Sequence, residues 1–579
     1  MVGYAYEFGP FRLESDPRQL LRDGLPVPLT PKALETLLVL VRNHGRLVPK
    51  RELIETVWPG VHVEDVGLAR NISVLRKALG SGDEDARFIE TLPRQGYRFV
   101  AGVTAAASAV PAGEERTPIV AVLPLKRIGT EDHEDYLGLG IADALIARLS
   151  TLRRLVVRPT NAVRLYGSPR QDPIVAGRAL RVDWVLDGCM QVSDERLRVT
   201  VQLVRVHDGA TVWAEKYDQR FTDIFALEDS ISERVAEVLT VRLTADDRLQ
   251  LAKRHTGSVE AHHWYLKGRY HWNRRTEDGL RTAIECFNEA VAADPSHALA
   301  YVGLADSYTL LGTVTYGAFH RRDVWPRARA AAARALELDE QLGEAHTSLA
   351  FIKFRYDWDW EGAERGFARA IELNPHYATA RQWYAYFLST RGRHEEALRE
   401  IRCAQQLDPL SLPIATGVGR FLYLAGRYDE AVVECRKAIE MDGTFAGVHL
   451  DLGLIYVQLG RHEEAICEFQ RAVDLSGGSH IPLVHLGHAY AVSGRHDRAR
   501  EVLNEVRRLS AQIDVAPSDW AIFHLGLGET AEAIACLEKA YEERDGLMVL
   551  LRVEPLLSPL YREPGFQDLL RRLDHPALR

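Results

Sequence analysis

Six side chains between positions 70 and 77 have the types and spacing to read duplex DNA. Arg70, Asn71, Ser73, Val74, Arg76 and Lys77 lie in the run VEDVGLARNISVLRKALG. Arginine carries a planar donor fork that matches the two acceptors on the major-groove edge of guanine, and asparagine offers adenine one donor and one acceptor. Arg76 and Lys77 can neutralise backbone phosphates. The same run supplies the scaffold for these groups. Leu68, Ile72, Leu75 and Leu79 recur at i, i+4, i+7 and i+11, which predicts one buried stripe on a helix over residues 65–79. At roughly 100° per residue, Arg70, Ser73, Val74 and Lys77 then point away from the stripe, with Asn71 and Arg76 on its flanks. An isolated helix with a solvated face would look similar, so the neighbouring elements decide.

Those neighbours form a small α+β unit. YAYEFGPFRL and QLLRDGLPVPLT read as short antiparallel strands with Asp23-Gly24 as a hairpin turn. A helix follows from Thr30 as N-cap and Pro31 at the first position, with Leu34, Leu37, Leu38 and Val41 at helical spacing and Gly45 at its end. A second helix fits Lys50–Val57 and stops at Trp58-Pro59-Gly60. After the DNA-reading run, FIETLPRQGYRFV forms a strand, a turn at Arg94-Gln95-Gly96 and a return strand, a basic hairpin.

Residues 4–103 resemble the OmpR/PhoB-type winged helix. The resemblance is carried by LTPKALETLLVLVRNHGRLVPKRELIETVWPG, VEDVGLARNISVLRKALG and IETLPRQGYRF. It implies that the third helix enters the major groove and the hairpin wing the adjacent minor groove. Carried over by position, Arg70, Asn71 and Val74 read bases, Ser73, Arg76 and Lys77 grip the backbone, and Arg94 and Arg98 belong to the wing. Tyr97 and Phe99 are expected to pack beneath the wing. Some relatives are more basic where this chain has Ser73 and Val74. The phospho-accepting receiver that many relatives carry ahead of this domain is not expected, which leaves control to the segments behind it.

Charge agrees with a DNA contact at the front. Residues 1–103 hold 14 Lys+Arg against 13 Asp+Glu, while the whole 579-residue chain has a formal charge of −9. The acidic remainder disfavours a second polyanion-binding surface. Six cysteines with no C-x-x-C pair read as buried small hydrophobes in a reducing compartment. No signal-peptide pattern opens the chain and no apolar stretch approaches the roughly 20 residues that span a bilayer. The expected location is the cytoplasm, with no membrane contact. TAAASAVPAGEERT, residues 104–117, reads as a flexible linker.

From Pro118 the pattern alternates: IVAVLPL, GIADALIARLS, RLVVRP, IVAGRAL, DWVLDGCMQV, RLRVTVQLVRV, TVWAEKYD and FALEDSISERVAEVL. Continuous Val/Leu runs between amphipathic helices predict an α/β domain over 118–250. It resembles the TolB amino-terminal-like module through GLGIADALIARLS, VLDG and RLRVTVQLVRVHDGATVWAEKYDQRF, which implies no known catalytic chemistry. Asp143, Asp183 and Asp187 could be imagined as metal ligands, but Asp143 lies on an amphipathic helix and the others bracket a strand, which reads as solvated or capping roles. A class of nucleotide cyclase pairs this module with repeats, yet no segment here resembles a cyclase catalytic domain. Phosphate-loop, serine-elbow and zincin motifs are missing from the sequence. No enzyme activity, cofactor or metal is expected.

Residues 260–547 repeat every 34 positions. GRHEEAL at Gly392, GRYDEAV at Gly426, GRHEEAI at Gly460, GRHDRAR at Gly494 and GETAEAI at Gly528 share one frame with Ala397, Ala431, Ala465, Ala499 and Ala533. This is the tetratricopeptide signature, about eight units of paired helices. His394, His462 and His496 recur with the frame and read as turn surface rather than metal ligands. In the family frame Gln382, Tyr386, Arg420 and Tyr423 face a groove for a protein or peptide partner, RNA polymerase among the candidates. Residues 548–579 are expected to cap the array. The chain thus reads as multidomain: a winged helix (α+β), an α/β middle domain and an all-α tetratricopeptide solenoid. Its leading function is a sequence-specific transcriptional regulator, with double-stranded DNA as partner and a homodimer on DNA as its expected form. The rival reading is an interaction scaffold in which the winged helix is a docking module.

Overall fold

A computed structural model describes residues 4–573 except 16–17, 23–24, 28, 58–64, 80–87, 94, 108–116, 129–135, 169–170, 194–195, 221–223, 240–243, 245–246, 249–250, 252, 254–255, 275 and 314–320. The chain divides into two compact units, residues 1–116 and 117–579.

In the first unit, strands β1 (Tyr4–Phe8), β2 (Phe11–Ser15), β3 (Arg18–Arg22) and β4 (Leu25–Pro26) form an antiparallel meander. The Asp23-Gly24 turn expected between β3 and β4 lies outside the described residues, as does Trp58-Pro59-Gly60. Helix α1 (Pro31–Arg42) starts where predicted, because the Thr30 hydroxyl accepts from the Ala33 amide at 3.3 Å and Pro31 needs no donor there. It is followed by β5 (Leu47–Pro49), α2 (Lys50–Val57), α3 (Asp65–Ala78), β6 (Ile89–Leu92) and β7 (Gly96–Phe99). A further strand, β8 (Thr104–Ala107), pairs with β1. The expected linker therefore begins as strand: its first four residues complete the five-stranded sheet, and residues 108–116 lie outside the described part. Phe8, Phe11, Phe88 and Phe99 pack ring against ring over Leu37, Val41, Leu68 and Leu75.

The second unit opens with the α/β domain. Its strands are β9 (Ile119–Val122), β10 (Lys126–Arg127), β11 (Val156–Val157), β12 (Trp184–Ser193), β13 (Arg196–Arg205) and β14 (Thr211–Arg220). Helices α4 (Tyr136–Leu149), α5 (Thr160–Val163), α6 (Pro173–Ala179) and α7 (Ile224–Val238) are interleaved with them. The sheet order is β11-β9-β12-β13-β14, parallel through β12 and antiparallel beyond it.

Two expectations fail here. Asp143 and Asp187 are not solvated but 3% and 5% exposed. Asp143 pairs with Arg269 of the first repeat helix at 2.8 Å and accepts from the Thr160 hydroxyl, while Asp187 pairs with Lys126 at 2.8 Å. Burial of a carboxylate demands such partners. Asp183 accepts from the Ile119 amide at 3.0 Å and so anchors the start of β9. The cysteine reading also fails in part, since Cys467 is exposed.

Eight helix pairs follow among the described residues, from Val259–Asn273 with Glu277–Ala293 to Pro517–Gly526 with Thr530–Glu542. Gly392, Gly426, Gly460, Gly494 and Gly528 all adopt φ between +69° and +78°, the left-handed turn that ends each first helix. The frame alanines Ala397, Ala431, Ala465, Ala499 and Ala533 are wholly buried, where a larger side chain would push the paired helices apart.

The α/β domain and the segment that follows it are clamped to this array along one edge. Lys253 pairs with Asp339 at 2.6 Å, Arg153 donates to the Glu372 carbonyl at 3.2 Å, and Arg158 donates to the carbonyls of Gln406 and Leu407 at 2.8 and 2.6 Å. Each cation thus sits at the C-terminal end of the second helix of successive repeats, where the helix dipole favours positive charge.

Candidate nucleic-acid interface

Helix α3 buries the predicted stripe: Leu68, Ile72, Leu75 and Leu79 are each 3% exposed or less. Arg70, Ser73, Val74 and Lys77 are exposed on the opposite face, and Val74 at 38% is an apolar side chain held in water. That arrangement leaves a donor fork, a hydroxyl, a branched apolar group and an ammonium on one helical surface. Such a face suits a groove that displays acceptors, thymine methyls and flanking phosphates.

The two flanking residues are committed elsewhere. Asn71 donates to the hydroxyl of Thr36 on α1 at 3.3 Å, and that hydroxyl in turn donates to the Lys32 carbonyl at 2.7 Å. Arg76 donates to the Ile89 carbonyl at 2.9 Å and to the Thr91 hydroxyl at 2.6 Å, which ties α3 to wing strand β6. Neither side chain presents a free fork in this structure. Within the protein, Asn71 sets α3 against α1 and Arg76 sets the wing against α3. Thr36 and Thr91 had no sequence signal beyond being hydroxyls near helical positions.

In the wing, β6 and β7 pair antiparallel with Glu90 opposite Arg98, and the two side chains form an ion pair at 3.6 Å. Tyr97 and Phe99 are buried at 6% and 0%, so they hold the wing as expected. Arg94, the other expected wing residue, lies outside the described residues.

The expected partner groove of the repeats is occupied by the chain itself. Tyr423 is wholly buried and donates to the Glu554 carboxylate, and Arg420 pairs with Glu554 at 3.0 Å and Asp451 at 3.3 Å. Burial pushes the Asp451 carboxyl up to about 6 against the opposing pull of Arg420. Tyr386 accepts from Arg355 at 2.9 Å, and Arg355 also donates to the Gly546 carbonyl at 2.8 Å. Gln382 is half-buried on the same helix. The C-terminal segment packs on the last helix pair through Leu557, Leu560 and Phe566 and in addition reaches back to Arg355 of the third repeat and Arg420 of the fifth. Three of the four groove residues therefore belong to an internal closure, not to an open groove.

Comparison with known proteins matches this division. Residues 24–99 match a family model described as transcriptional regulatory protein, C terminal, and residues 115–234 match the second domain of HilA/YgeH-like transcriptional regulators. The latter match, rather than the expected TolB-like module, describes the middle domain. Tetratricopeptide models match residues 275–315, 422–474 and 450–513. The transcriptional regulator HilA of Salmonella typhimurium is 26% identical over 409 residues, covering 70% of each chain. A putative adenylate cyclase 3 of Rhizobium meliloti is 29% identical over 188 residues, 32% of each chain. Among solved structures, the DNA-binding domain of E. coli CadC aligns with 17% of this chain and 94% of its own at 29% identity and a TM-score of 0.17. With an OmpR/PhoB-type domain ahead of a HilA/YgeH-like second domain and tetratricopeptide repeats, the chain is a DNA-binding transcriptional regulator.

Proposed function

We propose that the first unit reads a specific duplex sequence by laying the exposed face of α3 in the major groove and the wing in the adjacent minor groove. The observation that carries this is the sorting of α3 into a buried apolar stripe and an exposed Arg70, Ser73, Val74 and Lys77 face. Arg70 and Val74 meet base edges and Lys77 meets phosphate, while Asn71, Arg76 and Arg98 act by setting the helix and wing. Asn71 and Arg76 reach DNA only by releasing Thr36 and the wing strand.

In this reading the second unit supplies the input and has no catalytic role. The matched cyclase relative is shared over 32% of the chain, and no phosphate-loop or other catalytic motif accompanies that stretch. The working place is the cytoplasm, in keeping with the finding that no described helix is long and apolar enough to cross a membrane. A homodimer on repeated half-sites and a protein partner such as RNA polymerase complete the proposal, because one winged-helix module buries only about 600–1,000 Å² on DNA and seldom binds tightly alone.

Selection of random duplex DNA by the full chain, sequenced at two salt concentrations, tests it. Enrichment of a repeated motif that disappears with Arg70→Ala is the expected result. A folded protein that enriches nothing, and whose interactions ignore salt, would instead favour the scaffold reading.

A further inference from the structure

A cavity of about 300 Å³ lies between the α/β domain and the first repeats. One side is walled by α4 and the residues after it, including Arg148 and Arg153, with Glu228 of α7 and Lys253 from the connecting segment. The other is walled by Tyr265 and His297 of the first repeats and by Glu344 and Asn374 of the third. Ligand cavities favour such domain junctions, with apolar walls and a few convergent polar groups. Phe225, Leu342 and Leu373 supply apolar wall.

The charges around this cavity balance unevenly. Arg148 is matched by Glu228 and Asp229 and Lys253 by Asp339, and Glu228 also shares a hydrogen bond with His262 at 2.9 Å. Two charges remain. Arg153 makes its described hydrogen bond to a carbonyl, that of Glu372, and no described carboxylate lies within ion-pair distance of it. Glu344 receives a 3.4 Å bond from the Asn374 amide and has no described cation within that distance. Burial raises the Glu344 pKa above its ordinary value, against the opposing pull of the Asn374 amide and of Arg269. Asn374 is 9% exposed, and its Oδ1 has no donor among the described residues.

We propose that this cavity binds a small zwitterion of amino-acid size, its carboxylate on Arg153 and its ammonium between Glu344 and Asn374. One bound molecule would neutralise both unmatched charges and supply the missing donor. Because Arg153 belongs to the α/β domain and Glu344 to the third repeat, the ligand fastens the two together. This deepens the reading in which the second unit supplies the regulator's input, and it is tested without DNA.

Thermal unfolding of the full chain, followed by tryptophan fluorescence, is measured with each of the twenty L-amino acids at millimolar concentration. The α-amides and decarboxylated amines of the same molecules serve as probes lacking one charge. At least one amino acid should raise the midpoint by about 2–4 °C, and neither of its single-charge analogues should do so. Glu344→Gln should weaken binding at least about tenfold while leaving the ligand-free midpoint near that of the parent; Arg153→Gln, which also removes the bond to the Glu372 carbonyl, should lower the ligand-free midpoint and lose the ligand-induced rise above it. Calorimetric titration of the parent protein with the same amino acid and its amide gives the charge requirement without any variant. The proposal is overturned if no amino acid shifts the midpoint, if the analogues bind as well, or if folded variants keep the shift. Sequence-specific DNA binding that persists alongside any of those outcomes would leave the regulator reading intact.

Discussion

The guanidinium of Arg158, at the start of the segment after β11, spends its donors on four main-chain oxygens, and two of them belong to Gln406 and Leu407, some 250 residues further along the chain. The others, of Leu180 and Arg181, lie in the turn after α6, where Arg181 is held at φ +53°. One side chain thus fixes both a strained turn and the seat of the α/β domain on the fourth repeat. Its charge also opposes the burial that pushes the neighbouring Asp408 up to about 6.

Replacing Arg158 with alanine should leave those carbonyls without donors at a site only 2% exposed. The expected loss is about 3 kcal/mol, seen as a lower unfolding midpoint, with faster proteolysis at the junction between the α/β domain and the repeats. An unchanged midpoint would show that the clamp contributes nothing.

On the DNA side, three substitutions should separate by kind. Arg70→Ala should cost about 1–3 kcal/mol on the cognate site and relax preference at one position. Lys77→Ala should weaken all sequences alike and lower the slope of log affinity against log salt by about 0.9. Arg76→Ala should loosen protection in the minor groove while the major-groove footprint keeps its position. Binding titrations and footprinting at matched salt distinguish these outcomes.

His485 gives a pH dependence of definite sign. Burial, with His488 and Arg420 nearby, lowers its pKa to about 3, whereas in the unfolded chain it ionises near 6.5. Between those values the unfolded state holds the extra proton, so this contribution is complete above pH 6.5 and is lost as pH falls towards 3. At pH 5 the loss from this residue is about 2 kcal/mol. His485→Phe, which keeps a ring against Phe469, should remove that part of the acid slope in stability curves recorded from pH 7.5 to 5.

Two glycines should fail for different reasons. Gly426 has φ +72° with open space around it, so Gly426→Ala costs about 1–2 kcal/mol through the backbone alone, and asparagine recovers part of this. At Gly453 a Cβ would sit 2.5 Å from the ring of Phe469, and asparagine should be worse than alanine. Unfolding midpoints of the four variants report the pattern.

Much of this architecture was legible because it depends on spacing. The α3 stripe, the Thr30-Pro31 start of α1 and the 34-residue glycine and alanine frame each follow from a local period, and all three appear where predicted. What escaped was pairing over long separations. Asp143 is the only acid in the α4 run YLGLGIADALIARL, a hint that a charge was being buried, but nothing in the sequence named Arg269 as its partner. The same holds for Glu554 closing on Arg420 and Tyr423, which a repeat frame places on an open face. Likewise, the type and position of Arg76 point to phosphate, and its bond to the Ile89 carbonyl of β6 is visible only in the structure.

Repeat arrays ordinarily lengthen and shorten by whole units, since each unit touches only its neighbours. This one has two fixed marks. Three cations spaced one repeat apart hold the second, third and fourth units against the α/β domain and the segment that follows it, and the C-terminal segment returns to Arg355 in the third and Arg420 in the fifth. A duplication of 34 residues between positions 425 and 545 would carry Glu554 away from Arg420, and a deletion would bring the segment back short of it. Gene duplication, the usual source of variety in such proteins, is thereby closed to this array, and new partners must be gained by changing side chains on a structure of constant length.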